Sequence, residues 1–384
     1  MAQYPHLKYP MQTVRKAGQK LAGKLYLHDN GDYTEANDVF RIANSWRDSH
    51  FLPMRSAYLS LRFKMLRNGL AGDVAARPKR MSSIRRKLRE SSTKLDQMQD
   101  IAGVRAIMDD IAGVRALTAS IQQKFPHTLR QEWAYIDAPK EDGYRSHHLV
   151  FHFCPGKKDQ EPFTGRRIEL QIRTRLQHSW ATAVEAVGLF NGVDLKHHKG
   201  SEDWLRLFQL MSAEFSHVEG CPVGPGVPSR RERIEEIKGL NDRLGAANVL
   251  QNIRSATHYA ETFVYERGKF FLIVYKPDHT VEVENFDDSI QVTSRLAMYE
   301  RQIEDGVSAS KAVVVEVDKV ENLVRTYPNY FGDVSLFLNN LLRITKGQDA
   351  REYSLSPQQV VRPRPQEMPD PRLLVRRYTR WGRE

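Results

Sequence analysis

The chain has 384 residues, 40% of them hydrophobic: too long for one small domain, and apolar enough to bury a core, which excludes a disordered binder. Lys and Arg exceed Asp and Glu by 11, an excess that favours anionic partners, either nucleotide phosphates or nucleic acid. Only Cys154 and Cys221 are present, without a Cys-x-x-Cys pair, and no apolar run is long enough to cross a bilayer or to serve as a secretion signal. A disulfide framework and a thiolate zinc site are therefore excluded, and a cytoplasmic protein without membrane contact is expected.

In chain order, residues 10–70 read as helical, with apolar residues at helical intervals in Tyr33–Asp48 and a further helix over Met54–Leu70 behind Pro53. Met81–Arg89 is basic and helix-prone. Met98–Met108 reads as a buried strand, followed by a helix to about Lys124, strands near 128–137, 145–153 and 166–174, and a helix over Arg175–Leu189. Two or three helices then run to about residue 258, broken by the Gly- and Pro-rich loop 220–228. From Thr262 the pattern predicts a hairpin (Phe263–Tyr275 with His279–Glu284), a helix over Ser289–Ile303 and a strand over Ala312–Val317. The tail from Ser356 is rich in Pro and Arg and predicts flexible chain. The expected organisation is an N-terminal helical segment (1–39), a main domain (40–258), a small α+β domain (259–348) and the tail (349–384). The fold class is α+β: a mixed sheet of nucleotidyltransferase-like type flanked by helices.

Asp-Ile-Ala-Gly-Val-Arg-Ala occurs twice, at 100–106 and 110–116. That period is too short for a repeat architecture. The first copy runs into Ile107 and reads as strand; in the second, Asp109 and Asp110 suit the cap of a helix with Ile111, Val114, Leu117 and Ile121 on one stripe.

Three groups carry chemistry. Arg77-Pro-Lys79 with Ser83 and Lys87 gathers cations and hydroxyls at the entrance of a helix, which suits a polyphosphate; the run alone also fits a solvated basic face. Asp100 and Glu169 are oxygen ligands suited to Mg2+, which takes one or two carboxylates together with substrate phosphates. Glu169 could also accept a proton from an attacking hydroxyl. It alternates with Gln171 and Arg173 on one strand face, opposite Ile168, Leu170 and Ile172. The Gly143-Tyr144 turn, close to Lys140, would present a ring to a planar base, and His148 could support phosphates or orient the carboxylates; the alternative is a Tyr that only anchors its loop. His147 falls on the opposite face and reads as a bystander. Lys196-His-His-Lys199 lacks a further ligand at useful spacing for a metal.

Taken in order, Arg77-Pro-Lys79 with Ser83 and Lys87, Asp100 with Arg105, Lys140 with Gly143-Tyr-Arg-Ser146 and His148, and Glu169-Leu-Gln-Ile-Arg-Thr174 resemble the synthetase domain of RelA/SpoT alarmone enzymes. The resemblance covers roughly residues 40–190. It implies transfer of the β,γ-pyrophosphate of ATP to the 3′-hydroxyl of GDP or GTP, with Mg2+. It further implies that Arg77, Lys79, Ser83 and Lys87 hold ATP, that Asp100 and Glu169 hold the metal, that Glu169 activates the hydroxyl, and that Tyr144 stacks on guanine with Lys140 and His148 on acceptor phosphates. Arg105, Gln171 and Arg173 support these groups. Asp110 is a rival to Asp100 as metal ligand. No hydrolase domain accompanies these motifs, so hydrolysis is not expected, and a homo-oligomer is allowed. The resemblance also offers a second acceptor, the 3′ end of tRNA, as in toxic small members, with residues beyond 259 as neutraliser or trigger. The net charge of +11 favours tRNA; Lys140 favours a free nucleotide, whose phosphate needs a cation there.

Overall fold

A computed structural model describes residues 4–23, 34–79, 81–190, 202–251, 270–275, 281–286, 311–316 and 334–352, together with positions 291, 295, 298 and 299. Three helices open the chain: α1 (Met11–Ala22), α2 (Thr34–Asp48) and α3 (Phe51–Arg67). There follow β1 (Gly72–Pro78), α4 (Met81–Glu90), β2 (Ala102–Met108), α5 (Ile111–Gln123), β3 (Thr128–Ala134), β4 (His147–His152), β5 (Arg167–Thr174) and α6 (Arg175–Phe190). The five strands form one mixed sheet in the order β1-β2-β5-β4-β3, in which β2 and β5 are parallel and every other pair antiparallel. This is the α+β mixed sheet that the sequence predicts.

Period-two alternation gives the sheet one apolar face. Val104, Ala106, Met108, Leu149, Phe151, Ile168, Leu170 and Ile172 are buried against Met54, Leu61 and Met65 of α3 and Val114, Leu117 and Ile121 of α5. The opposite face carries Arg77, Arg105, Glu169, Gln171 and His148, and it is there that the chemistry gathers.

Three local differences from the sequence reading have physical causes. Strand β1 was not expected, because Gly72, Asp73, two alanines and Pro78 are poor strand formers; the segment is an edge strand carried by its pairing with β2, and Pro78 stands at its end. Arg77 therefore lies in a strand and not at the entrance of a helix. Strand β2 starts at Ala102 and not at Met98: Met98 and Ile101 are buried, but in a separate core with Val14, Leu21, Trp46, Ile84 and Leu95. One apolar run thus serves two cores. Strand β3 ends at Ala134, whose carbonyl accepts from the amides of Asp137 and Ala138 in a turn.

Beyond the sheet, α7 (Glu202–Val218) and α8 (Arg230–Leu244) pack with α6, and β6 (Phe270–Tyr275), β7 (Val281–Phe286) and β8 (Lys311–Glu316) form a second, antiparallel sheet in the order β7-β6-β8. The predicted hairpin is β6-β7. The first half of its predicted strand, the helix over Ser289–Ile303 apart from positions 291, 295, 298 and 299, the Lys196–Lys199 cluster and the tail from Ser356 lie outside the described residues.

The last described helix, α9 (Ser335–Ile344), follows the small sheet in sequence but packs with the main domain. Phe337, Leu338, Leu341 and Ile344 join Trp180, Phe208, Phe215 and Leu240 in one core, with the Phe337 ring 5.5 Å from Phe208 and 5.9 Å from Phe215. Asn340 closes the end by accepting from the Arg351 amide (2.7 Å) and donating to its carbonyl (2.9 Å), and Arg230 of α8 pairs with Asp349. Grouping 335–348 with the small domain, as composition suggests, does not follow this packing. We expect Phe337→Ala to cost about 3–5 kcal/mol in denaturant unfolding of the whole chain, as for a large buried aromatic. A helix outside the main core would leave the principal transition unmoved.

Candidate active site

One end of the site is basic. The β1-β2 ladder continues past Pro78, with the Lys79 amide donating to the Ile101 carbonyl (2.9 Å), and this brings Lys79 beside Asp100. Lys79 Nζ donates to Asp100 Oδ2 at 2.7 Å and Lys87 Nζ, from α4, donates to Oδ1 at 3.1 Å. Burial pushes the Asp100 carboxyl up, and the two ammonium groups more than reverse this, leaving it below the usual carboxylate range. Ser83 lies one helical turn before Lys87 on α4. Asp110 is elsewhere engaged: it caps α5, accepting from the Gly113 amide at 2.7 Å.

Register then fixes the floor. Arg77, Gly103, Glu169 and Val150 stand in one row across β1, β2, β5 and β4, and Ala75, Arg105, Gln171 and His148 in the next. Gly103 places no side chain between Arg77 and Glu169. The Glu169 carboxylate is held on both oxygens, by His148 Nδ1 (3.0 Å) and by Gln171 Nε2 (2.9 Å). Gln171 in turn accepts from Arg105 at 3.5 Å, and Tyr144 Oη lies 2.7 Å from His148 Nε2. With neutral His148 protonated on Nδ1, one direction satisfies the whole chain: Tyr144 donates to His148, His148 to Glu169, and Arg105 to Gln171, which donates to Glu169.

The other end is aromatic. Gly143 holds φ +88°, and a Cβ there would meet Ser212 Cβ at 3.0 Å and Gln209 Cα at 3.1 Å, so both backbone and space require glycine. The turn presents Tyr144, whose ring meets Tyr135, His148 and, from α6, Trp180 edge-on. Lys140 Nζ sits 4.6 Å from the Tyr135 centroid and 5.5 Å from that of Tyr144, a cation shared by two rings. His147 points away and pairs with Glu132 at 2.6 Å.

With this geometry in place, the comparisons are specific. Residues 76–190 match the region found in RelA / SpoT proteins. The GTP pyrophosphokinase of Escherichia coli (strain K12) is 30% identical over 118 residues, 31% of this chain; the chain spans 15% of that protein's length. The GTP pyrophosphokinase YjbM of Bacillus subtilis (strain 168) is 30% identical over 151 residues, which are 36% of this chain and 69% of that protein. The chain belongs to the RelA/SpoT family. Among solved structures, the small alarmone synthetase 1 from Bacillus subtilis aligns at 26% identity over 44% of this chain and 90% of that one, with a TM-score of 0.37.

In this RelA/SpoT member the motif residues converge on one sheet face, and residues that sequence reasoning missed join them. Arg173 does not reach the Glu169 carboxylate; it is buried and donates to His178 Nδ1 from α6. Burial, and then Arg173 and Arg105, hold the His178 imidazole well below its usual range, so it stays neutral. Burial, and then Arg77, push the Arg105 guanidinium down to about 10, while Glu169 and Glu185 oppose the shift. Arg77, Arg105 and Arg173 thus act on one another on this side of the sheet, with Glu169 and Glu185 as the acids beside them. Tyr135, His178 and Glu185 carried no sequence signal beyond residue type; only the turn after β3 and the first turns of α6 bring them in.

Proposed function

We propose that the protein transfers the β,γ-pyrophosphate of ATP to the 3′-hydroxyl of GDP or GTP. The observation that carries this reading is the Glu169 carboxylate, oriented by His148 and Gln171 between the basic end (Arg77, Lys79, Lys87, Asp100) and the Tyr135-Lys140-Tyr144 aromatic end. The 3′-oxygen attacks the β-phosphorus, the bond to the oxygen bridging the α- and β-phosphates breaks, AMP leaves, and the hydroxyl proton passes to Glu169. Arg77, Arg105, Lys79 and Lys87 neutralise the polyphosphate, and the Tyr144 ring with Lys140 receives the acceptor.

The donor set suits Mg2+. Asp100 and Glu169 offer hard carboxylate oxygens, and among the described residues no group of three or more His, Cys, Asp or Glu gathers to hold a metal, so substrate phosphates would complete the shell. Bound there, Mg2+ would neutralise phosphate charge. Occupation of Asp100 by a metal would free Lys79 and Lys87 for the phosphates.

A second acceptor, the tRNA 3′ end, is favoured by the net charge of +11. One assay separates the two: γ-labelled ATP with GDP, GTP and bulk tRNA in parallel, with and without EDTA. Label on GDP or GTP, AMP released in equal amount and loss of both in EDTA are expected; label only on tRNA would replace the acceptor, and no transfer to any of them would overturn the reading. Among the described residues no helix is long and apolar enough to cross a membrane.

A further inference from the structure

Against the acceptor turn, α7 and the residue just past its end carry a polar row that the reaction does not use. Gln209 Nε2 donates to the Glu141 carbonyl (2.9 Å), the Ser212 hydroxyl donates to the Gly143 carbonyl, and Glu219, just past the helix end, pairs with Arg145. Arg145 also donates through Nε to Ser212 Oγ at 3.1 Å. Alternate loop residues, 141, 143 and 145, thus turn to α7, while Lys140 and Tyr144 meet each other in the site. The ion pair is fully withdrawn from water: the Arg145 and Glu219 side chains are 2% and 0% exposed.

Glu219 does more than neutralise Arg145. It accepts from the Thr174 hydroxyl on one oxygen and from Gln177 Nε2 (3.1 Å) on the other, and Gln177 and Thr174 exchange two further hydrogen bonds. Thr174 is the last residue of β5, the strand that carries Glu169. One carboxylate therefore ties the acceptor turn, the end of the catalytic strand and the start of α6. A buried ion pair is weak as a source of stability, since apolar side chains of similar size do as well, and an apolar core lies directly beside this one. What apolar side chains would not supply is direction: three donors from three elements meeting at one carboxylate.

We propose that Glu219 and Arg145 are positioning residues that set the Tyr144 turn against the Glu169 strand and so govern acceptor binding without touching ATP. The proposal rests on the functional reading above. Its test uses the full chain with Glu219→Gln, which keeps the shape and removes the charge, and Ser212→Ala, which removes the tether to the Gly143 carbonyl and the acceptor of Arg145 Nε but leaves the Arg145-Glu219 pair itself in place. We expect kcat/KM for the acceptor to fall about 10- to 100-fold in Glu219→Gln, as small misplacements at a reacting centre do, while the KM for ATP stays within twofold. Ser212→Ala should show the same split more weakly. In parallel, hydrogen exchange of the amides 140–146 should quicken in both variants while those of α4 and β1 hold. Equal damage to the ATP and acceptor constants, or an unchanged acceptor constant in folded protein, would overturn the proposal. If Glu219→Gln fails to fold, Ser212→Ala decides alone. If the parent transfers to no acceptor, the functional reading has failed, and hydrogen exchange still tells whether this network sets the loop: slow, unchanged amides at 140–146 would overturn it there as well.

Discussion

Glu169→Gln is expected to leave the chain folded and to lower turnover by at least about 100-fold, the lower end of what a positioned general base contributes. The substitution keeps the volume of the side chain and its place in the β2-β5-β4 register, so the apolar face beneath, formed by Ile168 and Leu170, is untouched. What it changes is the direction of the hydrogen bonds. His148 and Gln171 both donate to the carboxylate, and an amide offers an acceptor to only one of them, so its own NH2 faces a donor on the other side. On the proposed reaction, the 3′-hydroxyl also loses its proton acceptor. Tyr144→Phe is the control at the far end of the same chain: it removes the hydroxyl that reaches His148 but keeps the ring, and should cost less than about 10-fold, the worth of one ordinary hydrogen bond. Steady-state kinetics with saturating ATP measure both. If Glu169→Gln retains more than a tenth of parental turnover, proton acceptance lies elsewhere.

The two variants also mark what was legible in the sequence. Glu169-Leu-Gln-Ile-Arg-Thr174 announces its own geometry, because strict alternation places the acid and amide on one face and the aliphatic residues on the other, and the fold follows suit. The second copy of the repeat was legible for the same kind of reason: Asp110 is a helix cap by residue type and position. Strand β1 was not, since in Gly-Asp-Val-Ala-Ala-Arg-Pro only Val74 favours a strand and the pairing with β2 supplies the rest. Tyr135, His178 and Glu219 escaped because each acts through contacts that sequence spacing does not encode; Glu219 lies 74 residues from Arg145. Helix α9 is the largest such case. The sequence reading assigned no element to it, and the partners of its apolar residues, α6 and α7, lie across the small sheet in sequence. Local pattern reports which residues are buried, not which core buries them.

Asp100→Asn should remove activity and, separately, weaken the fold in a pH-dependent way. Both Asp100 oxygens are occupied by ammonium groups, so the amide leaves Lys79 and Lys87 without their counter-charge, and the oxygen set suited to Mg2+ loses a member. The Lys79 pair is mostly shielded and supplies most of the stabilisation; Lys87 is 36% exposed and its share is screened by water and salt. Together they are worth about 1–3 kcal/mol, the range of charge-assisted hydrogen bonds. The sign with pH follows from the carboxyl being held below its usual value in the folded protein. Such a group binds its proton more readily in the unfolded chain, so its stabilisation is complete above the unfolded value of about 4 and disappears as the pH falls through the lower folded one. The stability gap between parent and Asp100→Asn should therefore be constant from about pH 5 to 8 and close below about pH 4. Urea unfolding at pH 7, 5 and 3.5 measures it. A gap that persists undiminished at the lowest pH would mean that the asparagine costs packing and not charge, and the lysines would then have no electrostatic reason to wait at Asp100 for a polyphosphate. A gap that closes gives them one: the same two ammonium groups that stabilise Asp100 when the site is empty are the ones a metal at Asp100 would release to the incoming phosphates.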